Sequence, residues 1–495
     1  MKRDDFVFYS ATKLAMLIRN GKLTSEQVTR ALIQRIQLHD VEINAVVNKN
    51  VEQLLNEAQR ADKEKKRGIE LGLLHGVPIT LKESYAVKGM RTTSGYKPWK
   101  EYTTNFDATI VSRLKDAGAI IVGKTNVPPL LMDLQTDNEI YGRTNNPWDV
   151  SRTPGGSSGG GAAAVASGFS YLDIGSDIGG SLRVPAHYCG VYSLKPTEHS
   201  VPAFGHLPMD DQTKQPEYTT SRHLASYGPI ARSIDDLIIS FSIIAGCDNR
   251  DVKVPPLLEQ NEITMNFKKI KIAWMDQFPD IPVAKEIREH IHRFVEKLES
   301  LGIQTVKIDE FPVDKSKVWE TWGKIIDAEL NSGKPSIIRG LEHVMTKGVQ
   351  RDYPSTSKLV PLTFKNYMKV LTQREKLITS FDTFMDEYEM FILPVSATTA
   401  FPHNQKDKLI GYQPIYKNPI YVDDTPMNYW QATTAYTNLF NVLTNPVVTI
   451  PIGLSDENMP IGVQCVGCRW ADYTLLHTLK HIVSELNTEF SHVSF

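Results

Sequence analysis

The sequence predicts an α/β fold, and three observations carry that prediction. Gly76–Leu81 is an apolar run too short for a helix, and Lys82 follows at its C-terminal end. A segment of helical apolar spacing, Ala108–Ala117, leads into a second apolar run, Ala119–Val122, rich in β-branched residues. Farther on, Ile270–Met275, Ala284–Leu301 and Gln304–Ile308 read as strand, helix and strand, which continues one sheet rather than starting a new domain. The expectation is a single domain over 1–495 with one large, mixed, mostly parallel sheet flanked by helices on both faces. Its core and catalytic loops occupy about 70–245, and a helical wall or lid segment occupies about 317–388.

The remaining elements follow in order. Residues 9–20 and 25–39 have helical spacing, with Ser10 and Thr24 or Ser25 as N-caps. Val51–Lys66 is charged on one side and reads as a surface helix. Residues 138–156 are rich in turn formers, including Asn145-Asn146-Pro147-Trp148-Asp149 and Pro154. A helix from about Ala162 to Ser167 and a strand Ser170–Ile174 lead to a turn at Gly179-Gly180. From Lys195 to about Ser226 the chain reads as loop; a helix at Ser233–Ala245 and a connector at Cys247–Thr264 follow. Residues 317–388 are mostly helical and rich in charge and aromatics, and Met390–Val395 returns to the core.

Composition narrows the function classes. Of 495 residues, 41% are hydrophobic and 23% charged, ordinary values for a globular protein. A net charge of -2 gives no bias toward polyanions, so no nucleic-acid partner is indicated. Met1–Asp5 is followed by no signal-like apolar run, and the most apolar stretches, Leu237–Gly246 and Pro446–Leu454, are too short to span a bilayer. Four cysteines, at 189, 247, 465 and 468, fit a reducing, cytoplasmic setting better than a disulfide framework.

The chemistry concentrates in two glycine-rich stretches. Gly155-Gly156-Ser157-Ser158-Gly159-Gly160-Gly161 runs into Ala162-Ala163-Ala164, a good helix start. Ser176-Asp177-Ile178-Gly179-Gly180-Ser181 places a serine after two glycines. Glycines let backbone N–H groups approach a ligand, and a hydroxyl beside such donors suits acyl transfer, whose intermediate carries an oxyanion. No Gly-x-Ser-x-Gly pattern announces a Ser-His-Asp triad, and His187 near the second serine in sequence is no sign of one. Some base must then activate a serine, and Lys82 is the candidate. From the pattern alone, a base and a salt bridge to Glu83 or Asp177 are equal accounts of that lysine.

These stretches, with Arg183-Val184-Pro185, Cys189-Gly190-Val191-Tyr192-Ser193-Leu194-Lys195-Pro196-Thr197, Gly76-Val77-Pro78 and Lys82, resemble the amidase signature family. Gly123-Lys124-Thr125-Asn126, Asn146-Pro147-Trp148 and Pro460-Ile461-Gly462-Val463-Gln464 extend the resemblance over nearly the whole chain, with fatty acid amide hydrolases as one relative type. The resemblance implies a Ser-cisSer-Lys triad falling on Ser181, Ser157 and Lys82, with a cis peptide before Ser157. It implies an oxyanion hole from the N–H groups of Ile178, Gly179, Gly180 and Ser181, with Asp177 and Arg183 as support. Ser158 is the rival to Ser157 as shuttle, or else a loop hydrogen-bonder. Leu131–Asp133 align with substrate-facing residues, Leu131 among them, or form a helical core. The implied activity is hydrolysis of a linear carboxamide, a fatty acyl amide being one option, to acid plus amine or ammonia. The glutaminase subunit of a tRNA-dependent amidotransferase is the alternative. No cofactor and no metal is required, the expected partner is a small-molecule amide, and a homodimer is the assembly considered.

Several other features compete. Gly118–Thr125 fits the phosphate-loop pattern Gly-x4-Gly-Lys-Thr, but its middle is an apolar run and Pro128-Pro129 hinder a helix start, so a strand ending near Lys124 is the better account. Cys465 and Cys468 have zinc-ligand spacing in what reads as a buried strand. His290 and His292 lie on a charged helix and read as solvent-facing. Trp319, Trp322, Tyr353, Phe364 and Tyr367 either line an acyl channel or belong to the core. Against the family pattern, Glu83 stands for an aspartate, Ser176 for a threonine, Gly161 for a serine and Ser193 for a glycine, and no glycine precedes Pro446.

Overall fold

In the computed structural model, residues 5–207, 221–257, 266–330, 362–410, 413–486 and 493 are described. Eleven strands form one sheet: β1 (Val46–Lys49), β2 (Pro78–Lys82), β3 (Ile120–Thr125), β4 (Leu172–Asp177), β5 (Tyr192–Lys195), β6 (Ser226–Ala231), β7 (Lys271–Trp274), β8 (Gln304–Lys307), β9 (Met390–Pro394), β10 (Val447–Leu454) and β11 (Pro460–Val466). Their order across the sheet is β1-β3-β2-β4-β6-β5-β10-β11-β9-β7-β8. The expected mixed α/β sheet is present. Parallel pairing, however, is confined to two flanks, β3-β2-β4 and β9-β7-β8, and the middle is antiparallel. That corrects the expected parallel majority. Part of the reason is local: β10 and β11 are joined by residues 455–459, and so short a turn can only connect antiparallel strands.

The long periodic helices lie where their spacing predicts. They are α1 (Ala11–Arg19), α2 (Ser25–Ile43) and α3 (Val51–Lys66). Ser10 caps α1 by accepting from Lys13 N–H, and Thr24 with Gln27 forms a capping box on α2. The next helix, α4 (Thr109–Asp116), feeds β3, which runs on through Gly123-Lys124-Thr125. The remainder are α5 (Gly159–Ala166), α6 (Arg183–Cys189), α7 (Ile234–Ile244), α8 (Lys285–Ser300), α9 (Lys315–Leu330), α10 (Phe364–Met385), α11 (Tyr429–Thr434), α12 (Leu439–Val442) and α13 (Asp472–Glu485). The expected helical segment 317–388 is thus built from α9 and α10, while its middle, with Tyr353, lies outside the described residues.

Several elements, β1, α11, α12 and α13 among them, have no counterpart in the sequence reading, and three more show why. Helix α6 carries Pro185 in its first turn, where a missing N–H is tolerated. Strand β5 is four residues of a segment that reads as continuing into loop. Strand β6 contains Gly228-Pro229, a turn signal by composition, yet it pairs with β4 along its whole length.

Strands β2, β4, β6, β9 and β11 are buried end to end. Successive side chains of a strand point to opposite faces, so both faces of the central sheet are covered. The parallel neighbours β2, β3 and β4 bring their C-terminal ends to one edge, and Lys82, Asn126 and Asp177 emerge there together. Ligand sites in such sheets form outside the carboxyl ends of the strands.

Candidate active site

Lys82, the last residue of β2, is fully buried. Its Nζ lies 2.8 Å from Ser157 Oγ, 3.0 Å from Ser176 Oγ and 3.2 Å from the carbonyl of Ser176. Burial pushes its pKa from 10.5 down to about 7, against the pull of Asp177 and Asp173. Near neutral pH a substantial fraction is therefore uncharged amine. The salt-bridge account does not hold, because both proposed partners face elsewhere. Glu83 accepts from Thr93 N–H at 2.9 and 3.0 Å and from Tyr141 OH at 3.2 Å, whereas Asp177 pairs with Arg183.

The serine loop meets the lysine at this strand end. The Gly156–Ser157 peptide is cis, and Ser157 is the hydroxyl that reaches Lys82. Ser158 holds the loop instead: its N–H donates to Ser181 O at 3.2 Å and its Oγ to Ser176 O at 3.3 Å, which ties the two glycine-rich stretches together. Glycine is needed where the loop passes the end of β3. A Cβ on Gly160 would come within 2.3 Å of Asn126 N, so any side chain there would push the serines off the strand ends. Gly161 makes room of another kind. A Cβ there would lie 2.2 Å from Asp173 Oδ1, a fully buried carboxyl held by Thr80 (2.7 Å) and Thr125 (3.0 Å) through its other oxygen. Burial pushes the Asp173 pKa up to about 6.

Ser181 follows Gly180, whose φ of 126° lies in the region only glycine enters freely. Among the described residues, the N–H groups of Ile178, Gly179 and Ser181 have no protein partner. Gly180 differs from the expected set of four donors: its N–H is taken up by Asp177 Oδ1 at 2.8 Å. Two side chains from distant segments fix this stretch. Trp322 Nε1–H donates to Ile178 O at 2.7 Å with its ring against Gly179, and Thr437 Oγ–H donates to Gly179 O at 2.8 Å. A trans peptide points its N–H opposite its carbonyl, so the Trp322 bond sets the direction of the free Gly179 N–H. The Thr437 bond fixes the next peptide, whose N–H, that of Gly180, is held by Asp177.

Behind Ser181 stands a buried ion pair. Arg183 donates to both oxygens of Asp177 at 2.8 and 3.1 Å, and to Thr437 O, Gln464 Oε1 and Asn441 Oδ1. Burial alone would raise the Asp177 carboxyl, but Arg183 and the N–H of Leu182 outweigh it and hold it well below the usual range. Leu131 is half-buried in a 3₁₀ turn, Pro129–Leu131, with φ 64°, and does not belong to a helical core. The segment beyond it touches the serine loop, since a Cβ on Gly156 would lie 2.7 Å from Asp133 O. Asp133 itself is turned inward, accepting from Tyr416 OH at 2.6 Å and Tyr429 OH at 2.7 Å.

Other sequence features resolve. Gly123–Thr125 lie inside β3, and Lys124 donates to Arg91 O at 2.6 Å and to Thr92 Oγ1, so Gly118–Thr125 forms no loop that could cradle phosphate. Cys465 is a buried thiol in β11, and no group of three metal-binding side chains occurs among the described residues. His292 is solvent-exposed, as expected, but also bonds Asp276 at 2.6 Å, and His290 bonds its own helix at Glu286 O. Of the aromatic set, Trp319 is core, edge-on to Phe278 and donating to Ala435 O. Phe364 is exposed, Tyr367 OH donates to Glu329, and of the described members only Trp322 reaches the site.

Sequence reasoning missed Thr437 and Asn441, far along the chain, and His206, which lies 3.0 Å from Ser176 Oγ. Ser176 stands out in sequence only as a replacement for threonine. No local signal marks any of them, because their placement is a product of the fold.

Comparison with known proteins adds a consistent set of likenesses. The chain matches the Amidase family over residues 27–476. It is 32% identical over 474 residues to the indoleacetamide hydrolase of Bradyrhizobium diazoefficiens, covering 94% of this chain and 84% of that protein. It is 29% identical over 496 residues to a glutamyl-tRNA(Gln) amidotransferase subunit of Moorella thermoacetica, covering 95% of each. In fold it is similar to a solved fatty acid amide hydrolase, with a TM-score of 0.80 at 24% identity over 99% of this chain and 87% of the other. No helix among the described residues is long and apolar enough to cross a membrane.

Proposed function

The chain belongs to the amidase signature family, hydrolases acting on amide bonds, and on that premise we propose that it cleaves a linear carboxamide through an acyl-Ser181 intermediate. The observation that carries this reading is the buried Lys82 amine, 2.8 Å from Ser157 Oγ with a pKa near 7. Neutral Lys82 takes the Ser157 proton while Ser157 takes that of Ser181, and Ser181 Oγ attacks the carbonyl carbon. The oxyanion of the tetrahedral intermediate faces the N–H groups of Ile178, Gly179 and Ser181, donors of the kind whose loss costs roughly 10²–10³ in rate. The intermediate collapses as the C–N bond breaks, and the leaving amine takes a proton back through Ser157 from Lys82. Water then repeats the route on the ester to release the acid. Asp177 and Arg183 hold the loop and touch no reacting atom.

The substrate is a small-molecule amide. A fatty acyl preference has less support from the aromatic set, because Phe364 is exposed and Trp319 is a core side chain bonded to Ala435 O. A glutaminase role within an amidotransferase is the second reading, because relatives of that kind are as near as the amide hydrolases. A phosphonate probe followed by peptide mass spectrometry tests the nucleophile: labelling at Ser181, lost in Ser181→Ala, is expected, and an adduct on another residue refutes the mechanism. A series of p-nitroanilides run beside glutamine separates the substrates. Turnover of anilides by the isolated chain supports the amidase, whereas activity confined to glutamine supports the glutaminase.

A further inference from the structure

Hydrogen-bond directions around Lys82 point to one more residue in its chemistry. An uncharged amine has two N–H donors and one lone pair. Lys82 Nζ has three oxygen neighbours: Ser157 Oγ, Ser176 O and Ser176 Oγ. A proton passes from Ser157 to the lysine only when the lone pair faces Ser157, and both N–H groups then go to Ser176. The carbonyl there can only accept. The hydroxyl of Ser176 must accept as well, so its own proton has to point elsewhere. Among the described residues, its one other partner is His206 Nε2, at 3.0 Å.

We infer that His206 is a positioning residue, which keeps Lys82 open to Ser157 by presenting an unprotonated Nε2 to the Ser176 hydroxyl. The opposite tautomer would donate to Ser176 or Ser84 and could not accept from Ser176, leaving that serine's proton to turn onto the lysine lone pair and close it to Ser157. Ser84 Oγ lies 3.0 Å from the same nitrogen, so two hydroxyls converge on it. The rings of Tyr85 and Tyr227, with centroids at 5.0 and 4.9 Å, confine the imidazole between them. Burial, and then the charge of Lys82, hold its pKa well below the usual histidine value. The titratable groups facing the ring are Lys82, Tyr85 and Tyr227, while Asp173 and Asp177 act on the lysine rather than on the ring.

The inference rests on Lys82 being the base, and the test separates the two. In the full-length chain, His206→Ala is expected to lower kcat by ~10-fold, the effect of one misdirected hydrogen bond, with KM unchanged. The acid limb of the kcat profile should also move to lower pH, because the released Ser176 hydroxyl stabilises the neutral amine. In a Ser176→Ala background, adding His206→Ala should change nothing further. Nitrogen-15 NMR of histidine-labelled wild type reads the tautomer without any mutation, and an unprotonated His206 Nε2 is expected. A protonated Nε2, or losses that multiply in the double variant, overturns the inference. Should Lys82→Ala keep its turnover, the base reading itself fails; an inactive Lys82→Ala beside a His206→Ala with wild-type kcat and pH profile refutes only the role of His206.

Discussion

Replacing Lys82 by methionine removes the amine while roughly keeping the length of the side chain, and it should separate stability from activity. A pKa of about 7 in the fold, against 10.5 outside it, means burial disfavours the charged form by about 5 kcal/mol. The sign follows from proton counts. Between pH 7 and 10.5 the unfolded chain holds a proton on Lys82 that the folded chain lacks, so folding gains about 1.4 kcal/mol per pH unit as pH rises. Below that window both states are charged and the full penalty stands; above it neither is charged and there is none. Lys82→Met has no such dependence. Its stability advantage over wild type should therefore shrink by about 3 kcal/mol between about pH 7.5 and 10. Lost bonds to Ser157 and Ser176 add an offset of about 1–3 kcal/mol that does not produce this slope. Urea unfolding at the two pH values measures the difference, and anilide turnover by the same preparations should fall by at least ~10³. A stability difference that stays constant across the window would show that the buried amine is charged, and the base mechanism would fail with it.

Three further outcomes are expected. The kcat/KM of wild type should fall about tenfold per pH unit below about 7, as Lys82 gains its proton, and a flat stopped-assay profile from about pH 5 to 9 would contradict the lysine assignment. Arg183→Leu leaves the Asp177 carboxylate buried without its partner and should destabilise by about 3–5 kcal/mol in urea titration, whereas a loss under ~1 kcal/mol would mean the carboxylate finds other compensation. Trp322→Phe keeps an aromatic ring against Gly179 but loses the N–H donated to Ile178 O; kcat should drop ~10-fold with KM little changed, and an effect on KM alone would make Trp322 a substrate contact instead.

What the sequence makes legible follows the range of the interactions involved. The helix Val51–Lys66 and the strand–helix–strand from Ile270 are set by periodicity within their own residues, and both appear as expected. Strand β6 is invisible in sequence because Gly228-Pro229 signals a turn, and only pairing with β4 overrides that signal. Lys82 and the two serine-bearing loops stand out because glycine-rich loops and a lysine after an apolar run are unusual locally, whereas the choice of Ser157 over Ser158 rests on the family resemblance. Thr437, Asn441 and His206 cannot, since nothing near them in sequence says which carbonyl or hydroxyl they will meet. Gly180 is a different case: its N–H is taken by Asp177 only three residues before it, a local side-chain-to-backbone bond that the sequence reading passed over. Leu131 is a milder case: its place before the serine loop is legible, but its positive φ is not.

The bare Cα at position 161 and the acid at 173 form an interlocked pair, because the oxygen of one occupies the volume that any side chain on the other would claim. A serine introduced at 161 would have to drive the carboxyl away from Thr80 and Thr125, and shrinking 173 alone would leave an empty space beneath the loop helix. Neither position is free to drift by itself. A chain of this fold that carries a hydroxyl at the first site has to turn the acid at the second aside or do without it, and the charge environment under the lysine changes with that exchange.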